Sequence, residues 1–275
     1  MRSEMRTLYL DVELNVEAYH FKGILQKFPM HFHEHYTIGF IESGQRYLVY
    51  KDKEFIVNSG DLIVFNPGDS HSCEQTDGKT LDFRCINIKP EAMKAAVLEI
   101  TGKANLPYFV QPVHYNSELT PYLRDLHLMI AEEEKDFKKE ELFLFLIEEL
   151  VREYCDLEFL NSELELTYET KTVCDYLEAH YRSNITLDEL SALVGLSKYH
   201  FLRTFTKQKG ITPYRYLETV RVNHAKELLE QGVRPIDAAF QTGFSDQSHF
   251  NHFFKRLIGL TPKLYMKIFF DNRNR

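Results

Sequence analysis

The spacing of apolar and polar residues changes character along this 275-residue chain. Between about residues 20 and 90 the apolar runs are short. Gln45–Tyr50 and Glu54–Val57 read as strands joined by Lys51-Asp52-Lys53, and Leu62–Phe65 reads as another. Asn58-Ser59-Gly60-Asp61 and Asn66-Pro67-Gly68-Asp69 punctuate them. Short strands between Gly, Pro, Asn and Asp turns predict a sandwich or barrel. From about residue 117 the period lengthens. Leu119, Leu123, Leu126 and Ile130 recur at three- and four-residue steps, and Leu142, Leu146, Leu150 and Tyr154 continue after the charged break Glu132–Glu141. This period predicts two amphipathic helices. Their stripe either packs on the barrel of the same chain or pairs with a second subunit, and periodicity alone separates neither. The acidic, polar run Asp156–Thr170 is the expected linker.

The last hundred residues hold a duplication. Phe201, Phe205, Gly210, Thr212, Pro213 and Tyr216 recur as Phe250, Phe254, Gly259, Thr261, Pro262 and Tyr265, each 49 positions later. A constant offset marks two copies of one supersecondary unit. In the first copy Thr186 is a candidate N-cap, Leu187–Val194 a short helix and Gly195 its stop. Ser197 then caps Lys198–Lys209, which Gly210 ends. In the second copy Pro235 starts the short helix and Gly243 closes it. Ser245 or Asp246 opens the next helix, which Gly259 ends. Two helices about a tight glycine turn form a helix-turn-helix. Pro213–Glu230 reads as one long connecting helix with Leu217, Val220, His224, Ala225, Leu228 and Leu229 as its stripe. Phe pairs at i and i+4 bury one face of each second helix and leave the opposite face open.

Charge follows the same division. The chain carries a net −8. Residues 165–275 hold 16 basic and 12 acidic side chains, a net of +4, which leaves the first 164 residues at −12. That asymmetry permits a nucleic-acid partner for the C-terminal part without requiring one. Cys73, Cys85, Cys155 and Cys174 are scattered, with no C-x-x-C pair, and read as reduced thiols. No apolar run approaches the roughly 18 residues of a membrane span, and no secretory h-region follows Met1, so a cytoplasmic protein is expected.

These residues carry a family resemblance. Gly243-Phe244-Ser245-Asp246-Gln247-Ser248-His249-Phe250, followed by Phe254-Lys255 and Gly259-Leu260-Thr261-Pro262, resembles the signature of the AraC/XylS family of transcription regulators. The likeness spans residues ~170–268. It implies an α+β chain of two domains: a cupin-like barrel with following helices over 1–160, and an all-α DNA-binding domain with two helix-turn-helix units over 161–275. It also implies that base-reading positions lie near the start of each second helix. On the first helix these map to Tyr199, Leu202 and Arg203, with Lys207 on the same face. On the second they map to Gln247, Ser248, Asn251 and His252. Arg203 suits guanine, Leu202 a thymine methyl, and Gln and Asn suit adenine. Lys255, Arg256 and Lys209 are expected at phosphates. For each of these charges the plainer reading is solvation. His249 is expected either to cap locally or to pack beside Phe250.

In the barrel, His31, His33 and His35 would share one face of a strand. H-x-H followed by Pro67-Gly68-Asp69-Ser70-His71 resembles the two cupin motifs, with Glu42 the nearby carboxylate. The histidines either hold a metal, as enzymatic cupins do, or line a pocket or core; the second is the expectation, with no metal and no cofactor. His33, Arg46, Tyr47, His71 and Arg84 are the candidate effector-binding residues. If Arg84 faces inward, burial requires an anionic effector to pair it. The expected function is a non-enzymatic, effector-controlled transcription activator, a homodimer that binds double-stranded DNA and RNA polymerase and no membrane. The alternatives are a metal-dependent cupin enzyme anchored to DNA, and a constitutive DNA-binding protein whose barrel only dimerises.

Overall fold

A computed structural model describes residues 4–76, 78–133, 137–155 and 167–273; for Phe137, Tyr199 and residues 271–273 it describes the backbone alone. The chain divides into two compact units, one mainly N-terminal and one mainly C-terminal, the second also taking in the short segments Phe28–Phe32 and Ser70–Ser72.

The N-terminal unit is built on two sheets. One has six strands in the order β1 (Met5–Asp11), β2 (Val16–Ile24), β9 (Leu81–Ile88), β4 (Tyr36–Ser43), β7 (Leu62–Phe65) and β10 (Val113–His114). The other runs β3 (Phe28–His31), β8 (His71–Gln75), β5 (Arg46–Tyr50) and β6 (Lys53–Val57). The β5–β6 hairpin turns on Lys51 and Asp52, both at positive φ (47° and 62°), and closes with Tyr50 opposite Lys53. Two successive left-handed residues match the twist of the flanking strands.

Three helices cover the larger sheet: α1 (Pro90–Thr101), α2 (Thr120–Ala131) and α3 (Phe137–Tyr154). Ala18, Ile38, Phe40, Ile86 and Ile88 share one core with Leu119, Leu123, Leu126, Ile130, Leu146 and Leu150. The helical stripe is therefore consumed within its own chain. The sequence reading did not anticipate β1, β2 or α1. Val16–Phe21 is buried at every residue, so it has no alternation to read.

Over residues 167–273 the C-terminal unit is helical: α4 (Tyr168–His180), α5 (Leu187–Leu193), α6 (Lys198–Lys209), α7 (Pro213–Glu230), α8 (Pro235–Gln241), α9 (Gln247–Ile258) and α10 (Pro262–Arg273). The expected linker is shorter than proposed. Thr167 caps α4, and Val173, Cys174 and Leu177 of that helix are buried; residues 156–166 of the expected linker lie outside the described residues. The connector α7 is buried over most of its circumference, including Glu218, Asn223 and Lys226. It packs against α4 and α6, and also against α8, α9 and α10. His224 and Leu228, counted in its stripe, are only half-buried, and Val222 is fully buried instead.

Candidate nucleic-acid interface

Local chemistry fixes each helix-turn-helix. Thr186 and Glu189 form a reciprocal capping box at the start of α5, and Gly195 takes φ 66° in the turn. The Ser197 hydroxyl accepts from the His200 amide to start α6, and Gly210 ends it in the left-handed region. In the second unit Pro235 occupies the first turn of α8 and Gly243 turns at φ 88°. Asp246 rather than Ser245 caps α9, its carboxylate accepting from the His249 amide at 2.7 Å.

The aromatic cores repeat as closely as the sequence does. Phe201 to Phe205 is 5.8 Å at 61°, and Phe250 to Phe254 is 5.5 Å at 61°. Phe205 to Tyr216 is 5.7 Å, and Phe254 to Tyr265 is 5.6 Å. Each tyrosine hydroxyl then donates to a glutamate of the preceding long helix, Tyr216 to Glu178 (2.5 Å) and Tyr265 to Glu230 (2.8 Å).

With those faces buried, the opposite faces stay open. Arg203 and Lys207 are exposed on α6 and Leu202 is half-buried. Ser248, Asn251, His252 and Lys255 are exposed on α9, with Gln247 and Arg256 half-buried. Tyr199 lies on α6, but its side chain is outside the described residues. Lys209 is half-buried, with its ammonium 5.2 Å over the Tyr216 ring. His249 neither caps through its side chain nor stacks on Phe250. Its ring lies by Phe244 and Phe253, and its Nε2 is 3.2 Å from Glu218 Oε1. The Asp246 carboxylate is thereby committed to the cap.

Known proteins match both units. The AraC-like ligand binding domain family matches residues 13–147, and a helix-turn-helix domain family matches residues 190–268. The helix-turn-helix-type transcriptional regulator YbfI of Bacillus subtilis (strain 168) is 64% identical over 249 residues, 90% of each chain. This chain belongs to the AraC family of transcriptional regulators. The transcriptional activator RhaS of Klebsiella pneumoniae (strain 342) is 27% identical over 247 residues, 86% of each chain. The crystal structure of unsaturated fatty acid-bound ToxT from Vibrio cholerae superposes at a TM-score of 0.56 over 98% of both chains, at 17% identity. That likeness is one of fold.

The ligand-binding domain of this AraC-family regulator places its candidate residues on different faces. Along β5, Arg46, Leu48 and Tyr50 are buried. Arg46 reaches across to the opposite sheet, donating to the carbonyl of Ile24 at 3.1 Å and also to that of Gln45. Tyr47, one residue on, is half-exposed and points away. Arg84 also departs from expectation. It shares a face of β9 with Ile86 and Ile88, which meet the helices, so its partner is a protein carboxylate. Glu42 lies 3.4 Å from its Nε and also accepts from Arg124 of α2 at 3.0 and 3.2 Å. The condition for an anionic effector at Arg84 therefore fails. Glu42, the carboxylate considered for a metal, is committed to these two arginines.

β3 ends at His31, so the expected single face does not continue to His35. His31 is buried, and its Nδ1–H donates to the Pro29 carbonyl at 2.6 Å. Burial holds its pKa down at about 4, so it is neutral near pH 7. Its ring lies 4.6 Å from that of buried His71. The sequence reading missed a further polar group: Asp69 accepts from the Tyr50 hydroxyl at 2.5 Å and from Asn66, and pairs with Lys51 at 2.8 Å. Its only signal was the Asn-Pro-Gly-Asp turn. Among the described residues no helix is long and apolar enough to cross a membrane.

Proposed function

We propose that this regulator reads two successive major grooves with α6 and α9, and activates transcription when a small molecule occupies its N-terminal barrel. One observation carries the reading. Each of the two helices buries an aromatic ladder and leaves a polar face open, and the faces differ in chemistry: Arg203 and Lys207 on α6, Asn251 and His252 on α9. Arg203 pairs with guanine, Leu202 packs on a thymine methyl, and Gln247 and Asn251 suit adenine. Lys207, Lys255 and Arg256 meet phosphates and set register. Tyr199, Ser248 and His252 complete the two reading faces.

The direction of control rests on RhaS, named as an activator. Effector control rests on ToxT, solved with an unsaturated fatty acid. Within the barrel Arg46 is a buried cation whose positive potential reaches the neighbouring Cys73 thiol, which burial nonetheless pushes up to about 12. That potential favours an effector bearing an acidic group, held with help from His33 and His71. The protein acts by binding rather than catalysis, in the cytoplasm, as a homodimer that engages RNA polymerase. Since the helical stripe is used inside its own core, the dimer contact falls elsewhere on the surface.

A second reading has its own observation. The imidazoles of His31 and His71 lie 4.6 Å apart, and imidazole is well suited to transition-metal ions. Stoichiometric metal in purified protein, lost in His31→Ala, supports it; metal-free protein of full activity removes it.

Selection of duplexes from a randomised library by the full chain tests the main reading. The expected product is a bipartite sequence whose elements lie one helical turn, about 34 Å, apart. Recovery of only random duplex rejects it.

A further inference from the structure

We propose that Glu218 and His249 form a latch that fixes the second reading helix on the connector, and so sets how strictly the protein demands one spacing between its two DNA elements. This rests on the reading that α6 and α9 occupy successive grooves.

Glu218 lies in the second turn of α7, and its side chain is only 2% exposed. A carboxylate taken so far from water needs compensation. Burial raises its pKa, and Arg215, His249, Tyr214 and Arg221 oppose that rise. Its Oε1 is 3.2 Å from His249 Nε2, and its Oε2 is 3.5 Å from Arg215. His249 sits in the first turn of α9 and is held against Phe244 and Phe253. The Arg215 guanidinium covers the Phe253 ring at 5.1 Å. The start of the connector thus grips the start of the second reading helix through a buried charge and a stacked cation.

The connector is fastened to the first unit as well. Arg221 donates to the carbonyls of Tyr181 and Ser183 at 2.7 and 2.9 Å. The turn of the second unit also lies directly on that loop: a Cβ at Gly243 would stand 2.9 Å from the carbonyl oxygens of Tyr181 and Arg182. These contacts join the two units without passing through DNA. The latch exists on one side only. His200, the repeat partner of His249, is exposed, and among the described residues it pairs with no carboxylate. Glu218 and His249 are therefore positioning residues for α9. Removing either leaves both reading faces intact but lets α9 swing against α7.

The test uses the full chain, the bipartite duplex obtained by selection, the same duplex with 2 base pairs inserted between its elements, and a duplex carrying one element. Two base pairs rotate the second element by roughly 70°. The wild type is expected to lose at least ~50-fold in affinity on insertion. Glu218→Gln, which keeps the side chain's shape, should bind the original duplex within ~5-fold and lose less than ~5-fold on insertion. His249→Gln should behave alike, and the double variant should match either single one, as required when two residues act through one contact. Equal insertion penalties in wild type and both variants overturn the latch while leaving DNA reading intact. So does uniform weakening on all three duplexes, the mark of mere destabilisation. Failure to select any bipartite duplex overturns the underlying reading and the latch with it.

Discussion

At the scale of single residues, the two charged groups Arg203 and Lys255 separate reading from positioning. Arg203→Ala should weaken binding to the selected duplex by about 1–3 kcal/mol and relax preference at one base pair. Lys255→Ala should instead weaken selected and random duplexes alike and reduce the salt slope by about one. Titration against salt on both duplexes checks the pair. Buried histidines make a second prediction. His127 is 1% exposed, its Nε2–H donates to the Tyr19 carbonyl at 2.9 Å, and burial lowers its pKa to about 4. The unfolded chain takes up a proton near pH 6.5 that the folded one refuses, so stability is full above that pH and falls as pH drops toward 4. The slope is about 1.4 kcal/mol per pH unit for each such proton. Denaturant unfolding of His127→Gln over this window should show a slope shallower by about one proton. Residue roles were the least legible part of the sequence. Arg46 and Arg84 both lie on strands, and only the faces those strands turn to the helices or to the opposing sheet distinguish an inward cation from a paired one.

At the scale of elements, legibility followed local chemistry. The bounds of α6 and α7 and the strand β7 could be read directly because caps, prolines and glycines act within a few residues of themselves. The helix α4 was missed because its first turn falls inside the acidic, polar run that reads as a linker. The turn glycines give a graded test. Gly195 sits at φ 66° with open space around its missing Cβ, so Gly195→Ala should cost only about 1–2 kcal/mol. Gly243 combines φ 88° with backbone oxygens at 2.9 Å, which do not yield as a flexible side chain would. Gly243→Ala should cost about 2–4 kcal/mol. Thermal denaturation of the two variants should rank them in that order, and the reverse order would contradict the close approach.

At the scale of the whole molecule, a net acidic first part and a net basic last part follow the division between a ligand-binding unit and a DNA-binding unit. The duplication announced the second unit because two copies at one offset leave little room for chance. The sheet topology of the first had no comparable signature, since pairings such as β2 with β9 join residues 57 to 72 positions apart. The burial of the connector bears on how the C-terminal half comes apart. Tyr216 and Val220 belong to the core around α4–α6, while Glu230 binds Tyr265 and Lys226 lies over that ring. One rod thus serves as a wall common to two rooms. Neither copy retains a complete interior once the other melts, so calorimetry should show the pair unfolding in one cooperative transition rather than two, and the duplicated halves are no longer separable modules.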